Sequence, residues 1–408
     1  MNQVINKPQL AYISFDVVPA PKGASIHIAA FSQALAAAFG NIQLVTVSPT
    51  AEQIDNDQIF PQVMQTMLPA VGGNLISRVL YFQTSLRGWL QGRQFTAIHI
   101  RSIYEGFVIA LNKQQYCEQL VFEVNGLPSI ELKYRYPGVI DDRELLHKLH
   151  TQEQICLTAA DLIITPSSTT SEYLQSRNVS PHKIRVIPNG VDLDVFTYNH
   201  HCELNILPVM NQDSCLQMIY FGTLSPWQGV NLAIEALELV NKDIPACLTV
   251  IGQAREDQIK KLKQLALKLG VENKLTILEP TSQTQLVQHI HASDIILAPL
   301  MPSDRNLVQG CCPLKILEGM ATGIPVIASD LPVVGELGED KVHFLLVKPG
   351  SAKAIKDAVL QLHHDPKLAT QLAQNARQRI EEKYTWKFAG AALTAAYAQL
   401  GIKRLSKI

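Results

Sequence analysis

The sequence predicts an α/β fold made of two doubly wound parallel sheets, on three observations. Short apolar runs rich in β-branched residues alternate with helix-like segments along the whole chain. These runs are continuously apolar, as in strands that a parallel sheet buries on both faces. The alternation breaks once, near residues 193–215, and restarts at Leu216. We therefore expect two similar halves joined by a linker.

Each half contains six runs that predict strands. They are AYISFD, IQLVTV, AIHI, QLVFEV, DLIITP and IRVIP in the first half, and LQMIYFG, CLTVIG, LTIL, DIILAP, PVIAS and HFLLV in the second. Segments such as SIHIAAFSQALAAAF and GVNLAIEALELV predict the helices between them. The predicted organisation is an N-terminal domain (1–195), a linker (196–215), a C-terminal domain (216–385) and a final helix (386–408). Its residues FAGAALTAAYAQL are small and apolar enough to pack back on the first domain.

The composition is that of a globular protein, with 408 residues, 47% hydrophobic and 17% charged. A net charge of −1 gives no indication of nucleic-acid binding. Seven cysteines without CxxC spacing fit reduced thiols better than a disulfide framework, and no metal-like cluster with His is apparent. Polar residues interrupt the first segment, MNQVINKPQLAYISFD, and no run of about 18 apolar residues exists. We expect a cytoplasmic protein.

Residues 61–115 are locally basic, with five cationic residues and Glu105 as their only acidic residue. Within them, LISRVLYFQTSLRGWL mixes large apolar side chains with two arginines. One interpretation is an amphipathic helix that lies on the anionic inner face of a membrane. The other is a helix that faces its own core and carries a solvated basic edge.

The first candidate site is a strand-to-helix junction, FDVVPAPKGASIHIAA. Ligands of open parallel sheets bind at the carboxyl ends of strands, close to helix N-termini. Small residues there let a ligand approach the backbone, and free amides attract anions. The candidate residues of this loop are Lys22, Gly23, Ala24 and Ser25. His27, in the first helical turn, is either a ligand contact or a packing residue.

Further junctions follow other strands. In VFEVNGLPSIELKYRYP, Glu123 and Asn125 lie at or just beyond a strand end. They could face a ligand cleft, or Asn125 and Gly126 could form a turn without a function. The second half offers small or hydrogen-bonding residues after two of its strands, namely Gly222, Thr223, Gln228 and Gly252.

The stretch QGCCPLKILEGM predicts a helix that begins abruptly, with Pro313 in its first turn. Lys315 and unpaired amides at the helix start would form an anion site. Those amides belong to Cys311, Cys312 and Leu314. Glu318, one turn later, could accept hydrogen bonds from two ribose hydroxyls, so the set fits a nucleoside diphosphate. The alternative is a Lys315–Glu318 surface ion pair at i,i+3.

In this order, the junctions resemble those of the retaining GT-B glycosyltransferases of family 4. PKGASIHIAAF resembles the Gly-rich acceptor-side loop of that family, and IPNGVD its segment before the linker. FGTLSPWQGV resembles the GxLxxxKG loop, and CCPLKILEGMATGIPVIASDLP resembles the E-x7-E segment in a WQG/PLK variant branch. EKYTWKF resembles the C-terminal (F/Y)-(S/T)-W signature. The resemblance spans nearly the whole chain.

The resemblance implies two Rossmann-like domains facing across a cleft. It implies transfer of a hexose from a nucleotide diphosphate sugar to an acceptor hydroxyl with retained configuration, without a metal or cofactor. Glu318 would bind the donor ribose, and the backbone around Cys311, Cys312 and Leu314, with Lys315, would hold the diphosphate or sugar. Gly23 would lie beside the leaving phosphate with His27 close by, and Asn125 would contact the donor sugar or the acceptor. The acceptor could be a lipid, a glycan or a small metabolite.

The chain departs from the family pattern at three positions. Gly310 replaces the first glutamate of E-x7-E, Thr223 replaces a basic residue, and Gln228 replaces the lysine of KG. Other cations would have to compensate the diphosphate charge; the candidates are Lys315, Arg305 and Lys22. Two alternatives remain open: a non-catalytic nucleotide-sugar binding or partner protein, and a GT-B epimerase.

Overall fold

The computed structural model describes residues 9–20, 22–199 and 215–405. The chain divides into two compact units, one comprising Met1–Pro188 and Lys387–Ile408 and the other Asn189–Trp386. Most of the predicted linker, residues 200–214, lies outside the described residues. Residues 189–195, predicted for the first domain, belong to the second unit. Backbone contacts explain this, since the Val191 amide donates to the Tyr384 carbonyl at 2.8 Å.

The first unit holds an eight-stranded sheet in the order β3-β4-β2-β1-β5-β6-β7-β8. Its strands are β1 (Leu10–Ile13), β2 (Ile42–Val47), β3 (Ile54–Phe60), β4 (Val63–Leu68), β5 (Phe95–Ile100), β6 (Cys117–Glu123), β7 (Leu162–Thr165) and β8 (Ile184–Val186). The six predicted strands are confirmed as β1, β2 and β5 to β8. Apart from β3, neighbouring strands are parallel.

Strands β3 and β4 were not predicted, and β3 runs antiparallel to β4. The β3 sequence IDNDQIF contains three residues that are rare in strands, Asp55, Asn56 and Asp57. In β4, the polar pair Gln65 and Thr66 interrupts the apolar run, yet both are buried. Pairing between the strands, rather than local propensity, therefore decides their conformation.

Helices connect the strands of the first unit. They are α1 (Gly23–Phe39), α2 (Leu75–Leu90), α3 (Ile103–Leu111), α4 (Lys113–Tyr116), α5 (Pro128–Arg135), α6 (Arg143–Ala159) and α7 (Ser168–Ser176). Helix α3 begins three residues after β5 because Ser102 caps it, with Glu105 completing a capping box. This tight junction fixes Arg101 at the carboxyl end of β5.

The second unit holds a six-stranded parallel sheet in the order β11-β10-β9-β12-β13-β14. Its strands, all predicted, are β9 (Leu216–Phe221), β10 (Ala246–Ile251), β11 (Leu275–Leu278), β12 (Ile295–Ala298), β13 (Val326–Ser329) and β14 (Leu345–Val347). Its helices are α8 (Val230–Val240), α9 (Glu256–Lys268), α10 (Gln283–His291), α11 (Leu314–Ala321), α12 (Pro332–Gly335), α13 (Ala352–His364) and α14 (Pro366–Lys383).

Each sheet reverses its strand order beside its first strand. Strand β1 lies between β2 and β5, and β9 lies between β10 and β12. The crevice at the carboxyl end of such a switch point is where open α/β sheets bind ligands. The loops after β1 and β9 are therefore the places to look for a site in each unit.

The last helix, α15 (Trp386–Gln399), packs on the first unit. Gly390 permits close contact with α1, since a Cβ there would come within 2.9 Å of the Ala34 Cβ. The Arg185 guanidinium donates to the Gln399 side chain at 2.7 and 3.0 Å, from Nη2 and Nε. The final segment is thus tied to helix α1 and strand β8.

Cys215 and Cys247 are joined by a disulfide. The expectation of reduced thiols is therefore wrong for this pair. The parallel register of β9 with β10 places Gln217 opposite Cys247, so the residue just before β9 comes close to the start of β10. Sequence spacing alone did not reveal this pairing. Among the described residues, four further cysteines are buried and outside any disulfide: Cys117, Cys156, Cys311 and Cys312.

Candidate functional site

A buried carboxylate lies where β1, β5 and β6 end. Glu123, the last residue of β6, accepts hydrogen bonds on Oε2 from the Tyr12 hydroxyl at 2.7 Å and from His99 Nε2 at 2.9 Å. On Oε1 it accepts from Arg101 Nε at 3.0 Å and from the Asn125 amide, and His27 Nε2 lies 2.8 Å away. We call these six residues the Glu123 cluster: Tyr12, His27, His99, Arg101, Glu123 and Asn125.

Sheet register brings the cluster together. Tyr12 on β1 is paired with His99 on β5, and their rings stack with centroids 4.2 Å apart. His99 is in turn paired with Val121 on β6, two residues before Glu123. His27 arrives from the start of α1, which follows β1. Residues more than 100 positions apart thus meet at the switch point of the first sheet.

The Glu123 carboxylate is ionised. Burial alone would raise its pKa, but His27 and Arg101 outweigh burial and hold the pKa well below its ordinary value. Burial lowers the pKa of His99, against the opposing effect of Glu123, so its imidazole is neutral at physiological pH. The Arg101 guanidinium also donates to Asp16 Oδ2 at 2.9 Å, which anchors this partly exposed carboxylate just after β1.

The predicted Gly-rich loop divides into residues that reach the Glu123 cluster and residues that do not. Of its candidates, only His27 contacts Glu123 directly. Ser25 is buried and accepts a hydrogen bond from the Ala20 amide at 2.9 Å, which folds the loop back on itself. The others form the start of α1: Lys22 is the exposed N-cap residue, and Gly23 and Ala24 are half-buried.

Asn125 joins the Glu123 cluster through its side-chain amide, which a turn without a function would not require. Gly126 has a packing role, because a Cβ there would lie 2.7 Å from both carboxylate oxygens of Glu131. The predicted ligand roles of both residues stay predictions.

The second candidate site surrounds Lys315, the second residue of α11. This side chain is only 7% exposed, and its Nζ lies 3.9 Å from the centroid of the Tyr220 ring. A Cβ on Gly222 would come within 3.2 Å of the lysine Cε, so the glycine leaves room for the ammonium. No described residue offers this ammonium a hydrogen bond. We call Tyr220, Gly222, Arg305, Lys315 and Glu318 the Lys315 cluster.

Burial shifts the titration of both ionisable groups on α11. It lowers the pKa of Lys315 to about 7, with Glu318 opposing and Arg305 adding to the effect. It raises the pKa of Glu318 to about 7, with Lys315 opposing. Glu318 is half-buried, and its carboxylate makes no hydrogen bond or ion pair within the part of the chain that the structure describes. The surface ion pair considered as an alternative is therefore not formed.

Helix α11 begins at Leu314, with Pro313 as its N-cap residue. The prediction that Pro313 lies in the first turn is wrong by one position. The amides of Cys312 and Leu314 donate no hydrogen bond within residues 9–20, 22–199 and 215–405. Cys311 and Cys312 are buried, and the Cys312 carbonyl accepts from Asn189 at 2.7 Å.

The remaining predicted donor-side residues lie in the loops after β9 and β10. Gly252 has a packing role, because a Cβ there would lie 1.8 Å from the Gly222 carbonyl oxygen. Thr223 is exposed, and its carbonyl accepts from the Tyr220 hydroxyl at 2.7 Å. Gln228 is half-buried, and its Oε1 finds no partner among the described residues.

Gly310 occupies the position where the resembled family has a glutamate, and its backbone explains the difference. Its φ is +83° and its ψ 165°, a conformation that is essentially restricted to glycine. The residue closes a short π-helical turn, Arg305–Gln309, and its amide donates to the Arg305 carbonyl at 3.0 Å. A glutamate at this position would strain the loop.

Sequence reasoning missed Asn306, which joins two loops beside the Lys315 cluster. Its buried amide nitrogen donates to the carbonyls of Trp227 at 3.1 Å and Met301 at 2.8 Å. The Arg305 guanidinium packs 5.3 Å from the Trp227 ring. Asn306 lies in an irregular stretch with no strand or helix period, so nothing in the sequence indicated its burial.

His99, Arg101 and Tyr397 were also missed in the first unit. The sequence could have indicated His99 and Arg101, since AIHIRS places these polar side chains at the end of a buried strand. It gave no indication of Tyr397, because its contact with His99, 2.8 Å between the hydroxyl and Nδ1, spans 298 residues.

Two further searches gave negative results. The described residues contain no group of three or more His, Cys, Asp or Glu side chains arranged to hold a metal ion. No helix in the described part of the chain is long and apolar enough to cross a bilayer.

Two family models match the chain in succession. Residues 21–195 match "Glycosyltransferase Family 4", and residues 212–379 match "Glycosyl transferases group 1". The first match includes the Glu123 cluster except Tyr12, and the second includes the whole Lys315 cluster.

One named relative and two solved structures are similar to the chain over nearly its whole length. A D-inositol 3-phosphate glycosyltransferase of Xylanimonas cellulosilytica is 21% identical, with 97% of this chain and 98% of the relative covered. A sucrose-phosphate synthase of Thermosynechococcus elongatus superposes with a TM-score of 0.80 at 21% identity, covering 97% and 99% of the two chains. Anabaena HepE in complex with UDP-glucose superposes with a TM-score of 0.72 at 16% identity, covering 96% and 100%.

Proposed function

We propose that this chain, which belongs to the GT-B glycosyltransferases with a family 4 N-terminal half and a group 1 C-terminal half, transfers a hexose with retention of configuration. It is a glycosyltransferase acting on nucleotide sugars. The proposal concerns the hexose, the stereochemistry, the residues that act and the acceptor.

The observation that carries the proposal is the buried Lys315 ammonium. A buried charge without a partner is costly, and such groups in proteins are normally paired. Here the side chain is packed against Tyr220 and Gly222, and no described residue hydrogen-bonds its ammonium. The diphosphate of a sugar nucleotide would supply the missing anion. Lys315 would then stabilise the negative charge that develops on the leaving diphosphate.

Neighbouring groups fit the rest of a nucleotide sugar. The Cys312 and Leu314 amides, at the start of α11, can donate to phosphate oxygens. Glu318, half-buried and unpaired within the described residues, can accept from ribose hydroxyls when ionised. Arg305 adds a second cation close to Lys315. This arrangement supports a donor site in the second unit, in the WQG/PLK form in which Lys315 and Arg305 replace the family's usual cations.

Retention is proposed from the resemblance, and the Glu123 cluster offers no free carboxylate nucleophile for a two-step route through a covalent intermediate. Both oxygens of Glu123 are occupied by donors, and its carboxylate neutralises Arg101. Asp16 is anchored by Arg101 and Ser14. Attack of the acceptor on the same face, assisted by the leaving phosphate, needs no protein nucleophile. Catalysis would then consist of positioning and charge stabilisation, with His27 and Asn125 orienting the sugar or acceptor.

The test is to incubate the purified chain with UDP-, GDP- and ADP-hexoses without an acceptor. Slow release of the nucleoside diphosphate, abolished in Lys315→Met, supports the transferase. Binding without turnover supports a non-catalytic nucleotide-sugar binding protein, which the departures at Gly310, Thr223 and Gln228 favour. Appearance of an epimeric sugar would identify an epimerase instead.

We also propose that α2 contacts an anionic membrane surface, where a lipid acceptor would reside. The helix buries Phe82 and Leu86, yet Ile76 and Leu80 are 57% and 58% exposed on its outer face. Tyr81 is exposed as well, and α2 contains no acidic residue. An apolar stripe without negative charge fits the surface of anionic lipids.

Vesicle co-sedimentation tests this contact. Ile76→Ser combined with Leu80→Ser should lower binding to vesicles that contain phosphatidylglycerol. Leu267→Ser is the matched control, because Leu267 is 65% exposed on α9 in the second unit. Equal binding by the wild type, the double variant and the control would exclude α2 as the membrane contact.

A further inference from the structure

The C-terminal helix contributes a side chain to the Glu123 cluster. Tyr397 on α15 is fully buried, and its hydroxyl lies 2.8 Å from His99 Nδ1. The other nitrogen of His99, Nε2, lies 2.9 Å from Glu123 Oε2. Tyr397, His99 and Glu123 therefore form one continuous buried chain of hydrogen bonds, which begins 11 residues before Ile408.

The charges around His99 fix the direction of these bonds. A neutral imidazole has one donor nitrogen and one acceptor nitrogen. The Glu123 carboxylate can only accept, so Nε2 of His99 must carry the proton. Nδ1 is then the acceptor, and the Tyr397 hydroxyl is the donor. The groups against this ring are the Glu123 carboxylate, the stacked ring of Tyr12 on β1, and Tyr397 itself.

We propose that Tyr397 is a positioning residue, which holds the His99 imidazole in place and through it the orientation of Glu123, the group that holds His27 and Asn125. The inference rests on the proposed function only for its effect on turnover. Without the Tyr397 hydroxyl, Nδ1 is a buried acceptor without a donor. The imidazole is then held on one side only and can rotate away from its present position, which weakens the hydrogen bond from Nε2 to Glu123 Oε2.

The packing of α15 makes the connection specific. Gly390 lies against Ala34 of α1, and α1 carries His27 near its start. The Tyr397 ring also packs 5.7 Å from Phe39, at the end of α1. The same helix that supplies the hydroxyl therefore also braces the helix that carries His27. We expect Tyr397→Phe to keep this bracing, because the aromatic ring remains, and to remove the hydroxyl alone.

The direct test is ¹⁵N nuclear magnetic resonance of histidine-labelled protein, with His99 assigned by His99→Gln. The wild-type chain should show a protonated Nε2 and an unprotonated, hydrogen-bonded Nδ1. In Tyr397→Phe, the Nδ1 resonance should move or split and the His27 resonances should shift. A protonated Nδ1 in the wild-type chain would overturn the proposal, and this result is read on the wild-type chain itself.

Kinetics provide the second readout. Tyr397→Phe should lower kcat/KM about tenfold, the size expected when a buried acceptor loses its donor, mainly through kcat. Thr394→Val is the matched control, because Thr394 is a buried hydroxyl on α15 that bonds to Ala391 and Arg404 instead of the cluster. Wild-type turnover in Tyr397→Phe, with unchanged His27 resonances, would refute the positioning role. If the wild-type chain turns over no nucleotide sugar, the proposed function fails, while the resonances still decide the role of Tyr397.

Discussion

Replacing Lys315 with Met should make the protein more stable at neutral pH while removing its affinity for nucleotides. Methionine keeps the length and apolar stem of the side chain that packs on Tyr220, but removes the buried ammonium. Burial is the main cause that lowers the pKa of this lysine from 10.5 to about 7. In the unfolded chain the ammonium is solvated, so folding at pH 7 carries a penalty that the variant avoids.

The size of the penalty follows from the pKa difference. A lysine whose pKa falls from 10.5 to about 7 costs up to about 4 kcal/mol at pH 7. The full cost applies below pH 7, where the folded ammonium is protonated. It decreases as pH rises from 7 to 10.5, because the folded lysine is then neutral and the proton that folding releases is lost more easily at higher pH, and is about 2 kcal/mol at pH 9. The variant also loses the positive charge near Glu318, which offsets part of this gain. We therefore expect the free energy of unfolding to rise by about 2–4 kcal/mol at pH 7.

The assay is urea denaturation of wild type and variant at pH 7 and pH 9, with calorimetric titration of UDP, GDP and ADP. Lys263→Met is the matched control, because Lys263 is exposed on α9 and its replacement should change stability by less than about 0.5 kcal/mol. A Lys315→Met variant that is less stable than wild type at pH 7 would refute the reasoning. It would mean that native interactions already satisfy the ammonium, so that no anion is needed there.

Three further predictions concern carboxylates and one loop. Glu318→Ala should weaken binding of the preferred nucleoside diphosphate by about 1.5–3 kcal/mol, and unchanged calorimetric affinity would remove Glu318 from the site. Glu123→Gln should destabilise the protein by about 3–5 kcal/mol, because the buried Arg101 guanidinium keeps only the partly exposed Asp16 as its anion, whereas the exposed Glu144→Gln should cost under about 1 kcal/mol in the same denaturation experiment. Gly310→Glu, which restores the family residue, should cost about 1–3 kcal/mol and give no gain in turnover, because φ there is +83°; a more active variant of wild-type stability would contradict this.

The fold was largely predictable because local patterns carry it. Twelve strands were recognised as short, continuously apolar runs, and their alternation with helices predicted two doubly wound sheets. The antiparallel strand β3 was not recognised, since its sequence IDNDQIF is polar and only pairing with β4 makes it a strand. The disulfide between Cys215 and Cys247 was not predicted for a similar reason, because strand register rather than sequence spacing brings the two residues together.

The candidate donor site illustrates what a sequence motif determines. Pro313, Lys315 and Glu318 are close in sequence, so helix geometry alone predicts that they gather near the start of α11. The sequence could not decide whether Lys315 and Glu318 pair with each other on the surface. Tertiary packing decided it, by burying the lysine over Tyr220, 95 residues earlier in the chain.

By itself, the sequence determined the two α/β halves, the strand-to-helix junctions that can bind a ligand, and the resemblance to nucleotide-sugar glycosyltransferases. These depend on residues close together in the chain, whose periodicity and spacing are visible in one dimension. Only the tertiary structure decided that Glu123 is held by Tyr12, His27, His99 and Arg101, and that Tyr397 completes this network from the C-terminal helix. The physical reason is that hydrogen bonds and burial depend on separation in space, and strand register and helix packing set that separation across hundreds of residues.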